Sequence, residues 1–253
     1  MKQGYNRPLL TADGSMTLFS KEFNEPYHSD KDGALNESIQ KHITPAFNNI
    51  NKSKNTITIL DICFGLGYNT FATLYYIKKI NLKSKIHIIS PEFDKNLIES
   101  LSSFTYPQEF DFLKNIIKEI SENFYYEDKN IKIDIIIDDA REILPKLETK
   151  FDIIYQDAFS PAHNPLLWTY EYFKDISNLI KDDGVLTTYS ISASVRMALD
   201  ENGFKLFLHK GDKIRESMVA SKNMLDLKFI DMELKKIRNK EARSMKDKDY
   251  INA

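Results

Sequence analysis

The stretch Thr56–Phe71, TITILDICFGLGYNTF, limits what this chain can fold into. A β-branched apolar run (Ile57, Ile59, Leu60, Ile62) ends at a small-residue turn, Gly65-Leu66-Gly67. A helical spacing of Phe71, Leu74, Tyr75 and Ile77 follows. Isoleucine-rich runs favour pleated backbone, and glycine tolerates a turn that a side chain would obstruct. The order is strand, glycine turn, helix, the opening unit of an α/β sheet. It aims the amides of the first helical turn at a crevice where a ligand can lie against bare backbone.

A GxG turn also serves as a plain tight turn. Two details narrow its use. A dinucleotide fingerprint wants a third small residue three places after the second glycine, where this chain has Thr70. The strand also carries an acid, Asp61, just before the turn. An acid there repels pyrophosphate and suits a ligand with a positive amino group, which S-adenosylmethionine has and NAD lacks.

Downstream, strand-like and helix-like runs alternate. Strands are expected at Ile57–Cys63, Ile86–Ser90, Ile131–Ile137, Asp152–Gln156, Gly184–Tyr189, Phe204–His209 and Glu216–Ser221. Helices are expected at Tyr68–Ile80, Lys95–Ser102, Arg141–Leu147, Leu167–Ile180 and Ser192–Asn202. Five strands with crossover helices make a doubly wound, mostly parallel sheet. The short gap from His209 to Glu216 makes the last two strands antiparallel. This is the plan of a class I S-adenosylmethionine-dependent methyltransferase, a Rossmann-like α/β fold. Residues 1–50 read as an N-terminal flap, with a hairpin around Ala12-Asp13-Gly14-Ser15 and a helix from Ala34; residues 51–222 read as the main domain. Residues 104–130, rich in aromatics, read as a helical insertion at the rim, and 223–253 as a charged extension.

Composition excludes more than it proposes. The one cysteine, Cys63, cannot build a disulfide framework and reads as a small buried residue in a cytoplasmic protein. No stretch approaches the length of a membrane span, and the start lacks a signal-peptide core. A net charge of −2 does not announce nucleic-acid binding, so basic residues would have to gather locally. The tail from Asp231 reads as a solvated helix of mixed charge. His28 and His163 have no second ligand at metal spacing, and no metal is expected.

Ligands of such sheets bind at the carboxyl ends of the strands. The first four strands each end in or near an acid: Asp61, Glu92, Asp138-Asp139 and Asp157. Glu92 lies 25 residues past Gly67, near the distance at which an acid meets ribose hydroxyls. Asp139 can accept from an adenine amino group while the amide of Ala140 donates to the ring. Each acid alone also reads as a helix cap or loop residue.

The segment Gln156–Thr169, QDAFSPAHNPLLWT, resembles the methyltransferase half of the bacterial MnmC family, which methylates 5-aminomethyl-2-thiouridine at the tRNA wobble position. Asp157, Phe159, Pro161, Asn164, Pro165, Trp168 and Thr169 match that family's motif, while Ala158 and Ser160 differ by one small residue each. FGLGYNTF resembles its glycine turn, with Leu66 in place of threonine; SPEFDK resembles its ribose stretch. The segment from Asp13 to Ser38 resembles its N-terminal part, including Phe23, Tyr27, Ser29, Gly33 and Glu37. SVRMALDENGF and KIRESM resemble its closing helix and strand. A basic, glycine-rich segment and the FAD-carrying oxidoreductase half of that family have no counterpart, so the chain is expected to act as a stand-alone methyltransferase with a separate enzyme supplying the aminomethyl group.

The resemblance implies S-adenosyl-L-methionine as cofactor, held by Asp61, Phe64, Gly65, Gly67, Asn69, Glu92, Asp139, Ala140 and Asp157, with Tyr27, Gly33 and Glu37 closing from the flap. It implies Asp157 and Phe159 as catalytic residues and Pro161 and Asn164 as contacts to a tRNA substrate, while Arg196 and Arg215 read equally as phosphate contacts and as surface ion pairs. For Tyr27, ordinary packing is an equal reading, and Trp168 reads as a packing residue. Four other functions fit parts of the pattern: a small-molecule N-methyltransferase or an aminopropyltransferase using decarboxylated S-adenosylmethionine on the same fold, a silent RNA-binding protein, and an NAD-dependent dehydrogenase.

Overall fold

A computed structural model describes residues 6–212 and 214–250. The first five and last three residues of the proposed flap and extension, and Lys213 of the KIRESM segment, lie outside the described residues. The centre is a nine-stranded sheet in the order β12-β10-β11-β9-β8-β4-β5-β7-β6. Its parallel strands are β4 (Thr56–Ile62), β5 (Lys85–Glu92), β7 (Ile131–Ile137), β8 (Phe151–Gln156) and β9 (Ile180–Thr188). On one side β11 (Ser217–Ser221) joins β9 antiparallel, followed by β10 (Lys205–His209) and a short β12 (Lys228–Phe229). On the other, β6 (Tyr125–Glu127) pairs antiparallel with β7. The expected class I methyltransferase sheet is present, with each strand close to its expected bounds.

The parallel strands are apolar on both faces, as helices on both sides require. On β4, Ile57 and Ile59 enter one core with Phe71, Leu74 and Phe47; Leu60 and Ile62 enter the other with Trp168, Phe173, Val195 and Leu199. The helices that supply these layers include α3 (Tyr68–Lys79), α4 (Lys95–Ser100), α7 (Tyr170–Leu179) and α8 (Ala193–Glu201). The short α6 (Ala140–Ile143) opens at the carboxyl end of β7, and α5 (Lys114–Asn123) lies in the insertion.

The N-terminal segment forms a separate small sheet, β1 (Asn6–Leu10), β2 (Met16–Ser20) and β3 (Glu25–Pro26), with the expected hairpin between the first two. A helical rod follows, α1 (Ala34–Glu37) and α2 (Thr44–Asn49) joined by a wide π turn over Ser38–Ile43. The rod packs on α3 and β9, burying Ile43, Ala46 and Phe47.

Two expectations need correction. The insertion is not wholly helical: after α5, Phe124 takes a left-handed conformation (φ 58°) and the chain returns as edge strand β6. Its register comes from backbone pairing with β7, which a three-residue run does not announce. The C-terminal tail is not simply solvated. Beyond α9 (Met232–Arg238) it folds back, where Met245 accepts from the Tyr170 amide and Asp247 pairs with Arg141 and takes the Thr169 hydroxyl at 2.6 Å.

At the opposite end of the sheet, Asp152 is fully buried. Its carboxylate accepts from the Thr58 amide (2.8 Å) and hydroxyl (2.9 Å), Lys54 (2.6 Å) and Lys181 (2.7 Å). Burial raises its pKa, but the two lysines and Thr58 outweigh burial and leave it below the ordinary value. Asp152→Asn is expected to cost about 2–3 kcal/mol in urea denaturation. The contribution is present above the unfolded carboxylate value of about 3.9 and disappears as pH falls through the lower folded value. Equal stability of wild type and variant at pH 7 would contradict this account.

Candidate active site

The carboxyl ends of β4, β5, β7 and β8 open into a cavity of about 820 Å³, with the segment from Glu22 to Lys41 on its other side. That volume suits a nucleoside-sized ligand. Ten carboxylates line it, from Glu22, Glu25, Asp32, Glu37, Glu92, Asp94, Asp138, Asp139, Asp157 and Glu216, against the cations Lys41, Arg141 and Arg215. Such a wall favours a cationic ligand.

The glycine turn forms the floor, with Cys63, Phe64, Gly65 and Leu66 exposed to the cavity. Cys63 is half-buried rather than enclosed and takes φ 62°, a conformation costing a side chain about 1–2 kcal/mol. Gly67 starts α3 at φ 73°, and a Cβ there would lie 2.5 Å from Phe71 and 2.7 Å from Phe64. Tyr106 of the insertion donates to the Leu66 carbonyl at 2.8 Å, so the insertion braces the turn as well as the rim. Glu92 spans the gap between strands, accepting from the Gly65 amide (2.8 Å) and the Asp94 amide (2.7 Å). Burial raises its pKa more than those amides lower it.

Asp157 occupies the tip of β8, its side chain 12% exposed. The Asn69 amide donates to Oδ2 at 2.8 Å. His42 Nε2 stands 3.3 Å from Oδ1, within ion-pair reach but out of line for a hydrogen bond. Burial pushes the carboxyl up; His42, then His28 and Asn69, more than offset this and hold it below the ordinary carboxylate range. Asp157 is therefore anionic at neutral pH.

The loop after Asp157 is pinned through its backbone. Trp168 Nε1 donates to the Phe159 carbonyl (2.7 Å) and the Tyr189 hydroxyl to the Ala158 carbonyl (2.9 Å). The Gln156 side chain donates to the Leu167 carbonyl and accepts from the Tyr172 hydroxyl. From the flap, Glu25 accepts from the Ser160 hydroxyl at 2.8 Å and from its amide. Phe23 stacks on Phe159 with centroids 4.4 Å apart, and Tyr27 meets the Phe159 ring edge-on at 4.9 Å.

Of the expected residues, Tyr27, Glu37, Phe64, Gly65, Asn69, Glu92, Asp139, Ala140, Asp157, Phe159, Asn164 and Arg215 lie on the cavity wall. Five do not. Asp61 is 1% exposed behind the floor, where it accepts from the Thr70 hydroxyl at 2.8 Å; burial raises its pKa to about 7. It supports the turn and does not meet a ligand's amino group. Gly67 backs onto two phenylalanines, and Gly33 packs against Asp13. Pro161 and Arg196 also lie off the wall.

The wall suits S-adenosylmethionine on its own chemistry. Carboxylates face a cationic ligand, the buried Asn69 Oδ1 has no partner among the described residues, and Gly65 leaves room that a side chain would take. A family model described as S-adenosyl-L-methionine-dependent methyltransferase matches residues 106–223. The crystal structure of MnmC2 from Aquifex aeolicus superposes with a TM-score of 0.84 at 31% identity, covering 98% of this chain and 81% of that one. The chain belongs to the MnmC2 family. Its cofactor is S-adenosyl-L-methionine.

Other relatives are longer. An uncharacterised protein of Methanocaldococcus jannaschii is 32% identical over 77% of this chain and 53% of its own length. The tRNA 5-methylaminomethyl-2-thiouridine biosynthesis bifunctional protein MnmC of Campylobacter hominis is 29% identical over 81% of this chain and 31% of its own length. The chain thus spans about half of the first and a third of the second. Among the described residues no helix is long and apolar enough to cross a membrane.

Sequence reasoning passed over His42, Glu25, Lys41 and Arg141. His42 was visible only as one position of a helical spacing, 115 residues before Asp157. Lys41 bridges Asp32 and Glu37, each at 2.7 Å, and that pattern could have been found as an i,i+4 acid–base pair.

Trp168→Phe keeps most of the buried ring and loses the bond to Phe159. It is expected to lower stability by about 1–3 kcal/mol in the urea midpoint with an unchanged slope. An unmoved midpoint would remove this bond from the loop's support.

Proposed function

We propose that the chain methylates the exocyclic amine of 5-aminomethyl-(2-thio)uridine at the wobble position of tRNA. The observation that carries this reading is the Asp157 carboxylate held at the cavity wall beside the glycine turn, with Asn69 on one oxygen and His42 within ion-pair reach of the other. The wobble-uridine relatives supply the substrate class. S-adenosylmethionine supplies an electrophilic methyl group on a cationic sulfur.

An amine attacks only through a lone pair, so an ammonium must first lose a proton. Asp157 is an acceptor for that proton and a counter-charge for the cation that forms on nitrogen. Fixing the carboxylate from two sides, by Asn69 and His42, places it before the substrate arrives. Glu92, Asp139 and Ala140 are suited to hold the nucleoside end of the cofactor, and Glu37 and Tyr27 the methionine end. Phe159, on the same loop as Asp157, offers the substrate base an aromatic edge. Asn164 and Arg215 are placed for the nucleotide, Arg215 as an exposed cation suited to phosphate. Only a nucleoside turned out of its stack enters so acidic a cavity, leaving the backbone phosphates outside. A separate enzyme in the cytoplasm would supply the aminomethyl group.

The acidic lining also favours a second reading, transfer of an aminopropyl group to a polyamine. Incubation with methyl-labelled cofactor and tRNA bearing 5-aminomethyluridine, and in parallel with decarboxylated S-adenosylmethionine and a polyamine, separates the two. Label in the wobble nucleoside, with a mass gain of one methyl group, is expected; an unlabelled polyamine product would replace the first reading with the second.

Asp157→Asn is expected to lower kcat by about 10²–10⁴-fold with cofactor affinity nearly unchanged. Turnover at the wild-type rate would take Asp157 out of the mechanism. Glu92→Ala is expected to weaken cofactor binding at least about tenfold, roughly 1.4 kcal/mol, by calorimetry. An unchanged Kd would show that Glu92 serves only the turn.

A further inference from the structure

We propose that His42 is a positioning residue that acts through Asp157 and holds the proton that methylation of an ammonium must release. This rests on the function proposed above. The substrate nitrogen enters as an ammonium with three protons and leaves as a methylammonium with two, so one proton is surplus.

His42 is placed to hold it. It lies on the π turn between α1 and α2, a wide turn of the kind that recurs at functional sites. It is completely buried, and Nδ1 is 3.1 Å from the Thr187 hydroxyl of β9, which fixes the ring. With Nδ1 donating to Thr187, the lone pair of Nε2 faces Asp157 Oδ1 at 3.3 Å. That nitrogen is buried and has no hydrogen-bond partner among the described residues. A proton on Nε2 makes an imidazolium within ion-pair distance of Oδ1.

The transfer balances. One N–H bond of the ammonium breaks and its electron pair stays on nitrogen, which creates the lone pair needed for attack. The proton passes to Asp157 and then to His42 Nε2, leaving Asp157 anionic beside an imidazolium. After product departs, the proton leaves by the same carboxylate, the side of the pair that faces the cavity.

The other titratable groups around the pair do not replace His42. His28, after β3, is held by the Thr17 hydroxyl at 3.1 Å, and burial lowers its pKa. Asp61 on β4 is engaged by Thr70 behind the floor. Tyr155 on β8 meets the His42 ring edge-on at 5.9 Å and is paired with Thr73. Glu37, on the same rod, is paired with Lys41.

His42→Gln keeps a polar side chain that cannot carry the proton. With tRNA bearing 5-aminomethyluridine, kcat at neutral pH is expected to fall about 10- to 100-fold. Its rising limb is expected to move to higher pH by about one unit or more, since solvent must then take the proton. Cofactor affinity by calorimetry is expected to stay within about twofold, a change below roughly 0.5 kcal/mol. Independently of turnover, the His42 ring nitrogen signals in histidine-labelled enzyme, identified by their loss in His42→Gln, are expected to shift in Asp157→Asn. If His42→Gln does not fold, Thr187→Val, which removes only the Nδ1 contact, is expected to shift the limb in the same direction.

An active wild type whose His42→Gln variant keeps the same pH profile overturns the inference alone. So does a uniform loss at all pH values that tracks lost cofactor binding, or His42 ring signals that do not move in Asp157→Asn. A wild type that leaves this tRNA unmethylated overturns the substrate assignment and this inference together.

Discussion

Burial alone would protonate Asp157 and leave the cavity without its anion. Three groups prevent this: His42, His28 and Asn69. They come from three different parts of the chain, the π turn, the segment after β3, and α3. The charge at the centre of the site thus depends on the N-terminal segment being docked on the sheet. Asp61 shows the contrast, since it is more deeply buried, accepts from the Thr70 hydroxyl, and is pushed up by burial to about 7. The two acids differ because Asp61 is the more deeply buried and Asp157 has Asn69 and His42 on its two oxygens.

The two ends of the sheet divide the work. At the amino ends, Asp152 ties β4, β8 and β9 together through Thr58, Lys54 and Lys181. At the carboxyl ends the acids face a cavity instead of lysines, which leaves their negative potential available to a cationic ligand. The loop after β8 stays in place because Trp168 and Tyr189 hold its carbonyls and Glu25 holds Ser160. Phe159 and Asn164 remain free to face the cavity. The tail reaches the same loop from behind, through Asp247 on Arg141 and Thr169.

The alternation of apolar runs was enough to read the sheet because each parallel strand is buried on both faces and each helix on one. The glycine turn and the acids at Glu92, Asp139 and Asp157 were legible for a related reason, since strand ends are where such sheets expose polar groups. The same rule failed for Asp61, which sits one pleat too early and points behind the floor. It also failed for β6, whose three residues gain their strand character from the neighbour they pair with. Arg196 and Pro161 stood in the right segments, but the turn of α8 and of the loop carries them off the wall.

Local pattern therefore determined the layer order, the crevice and the acids that open onto it, because hydrophobic periodicity and turn chemistry act over a few residues. Tertiary structure alone decided how each acid is held, what lies across the cavity from the strand ends and which histidine meets Asp157. Those outcomes depend on distance and burial between residues as far apart as His42 and Asp157, and Coulomb interactions act through space and not along the chain.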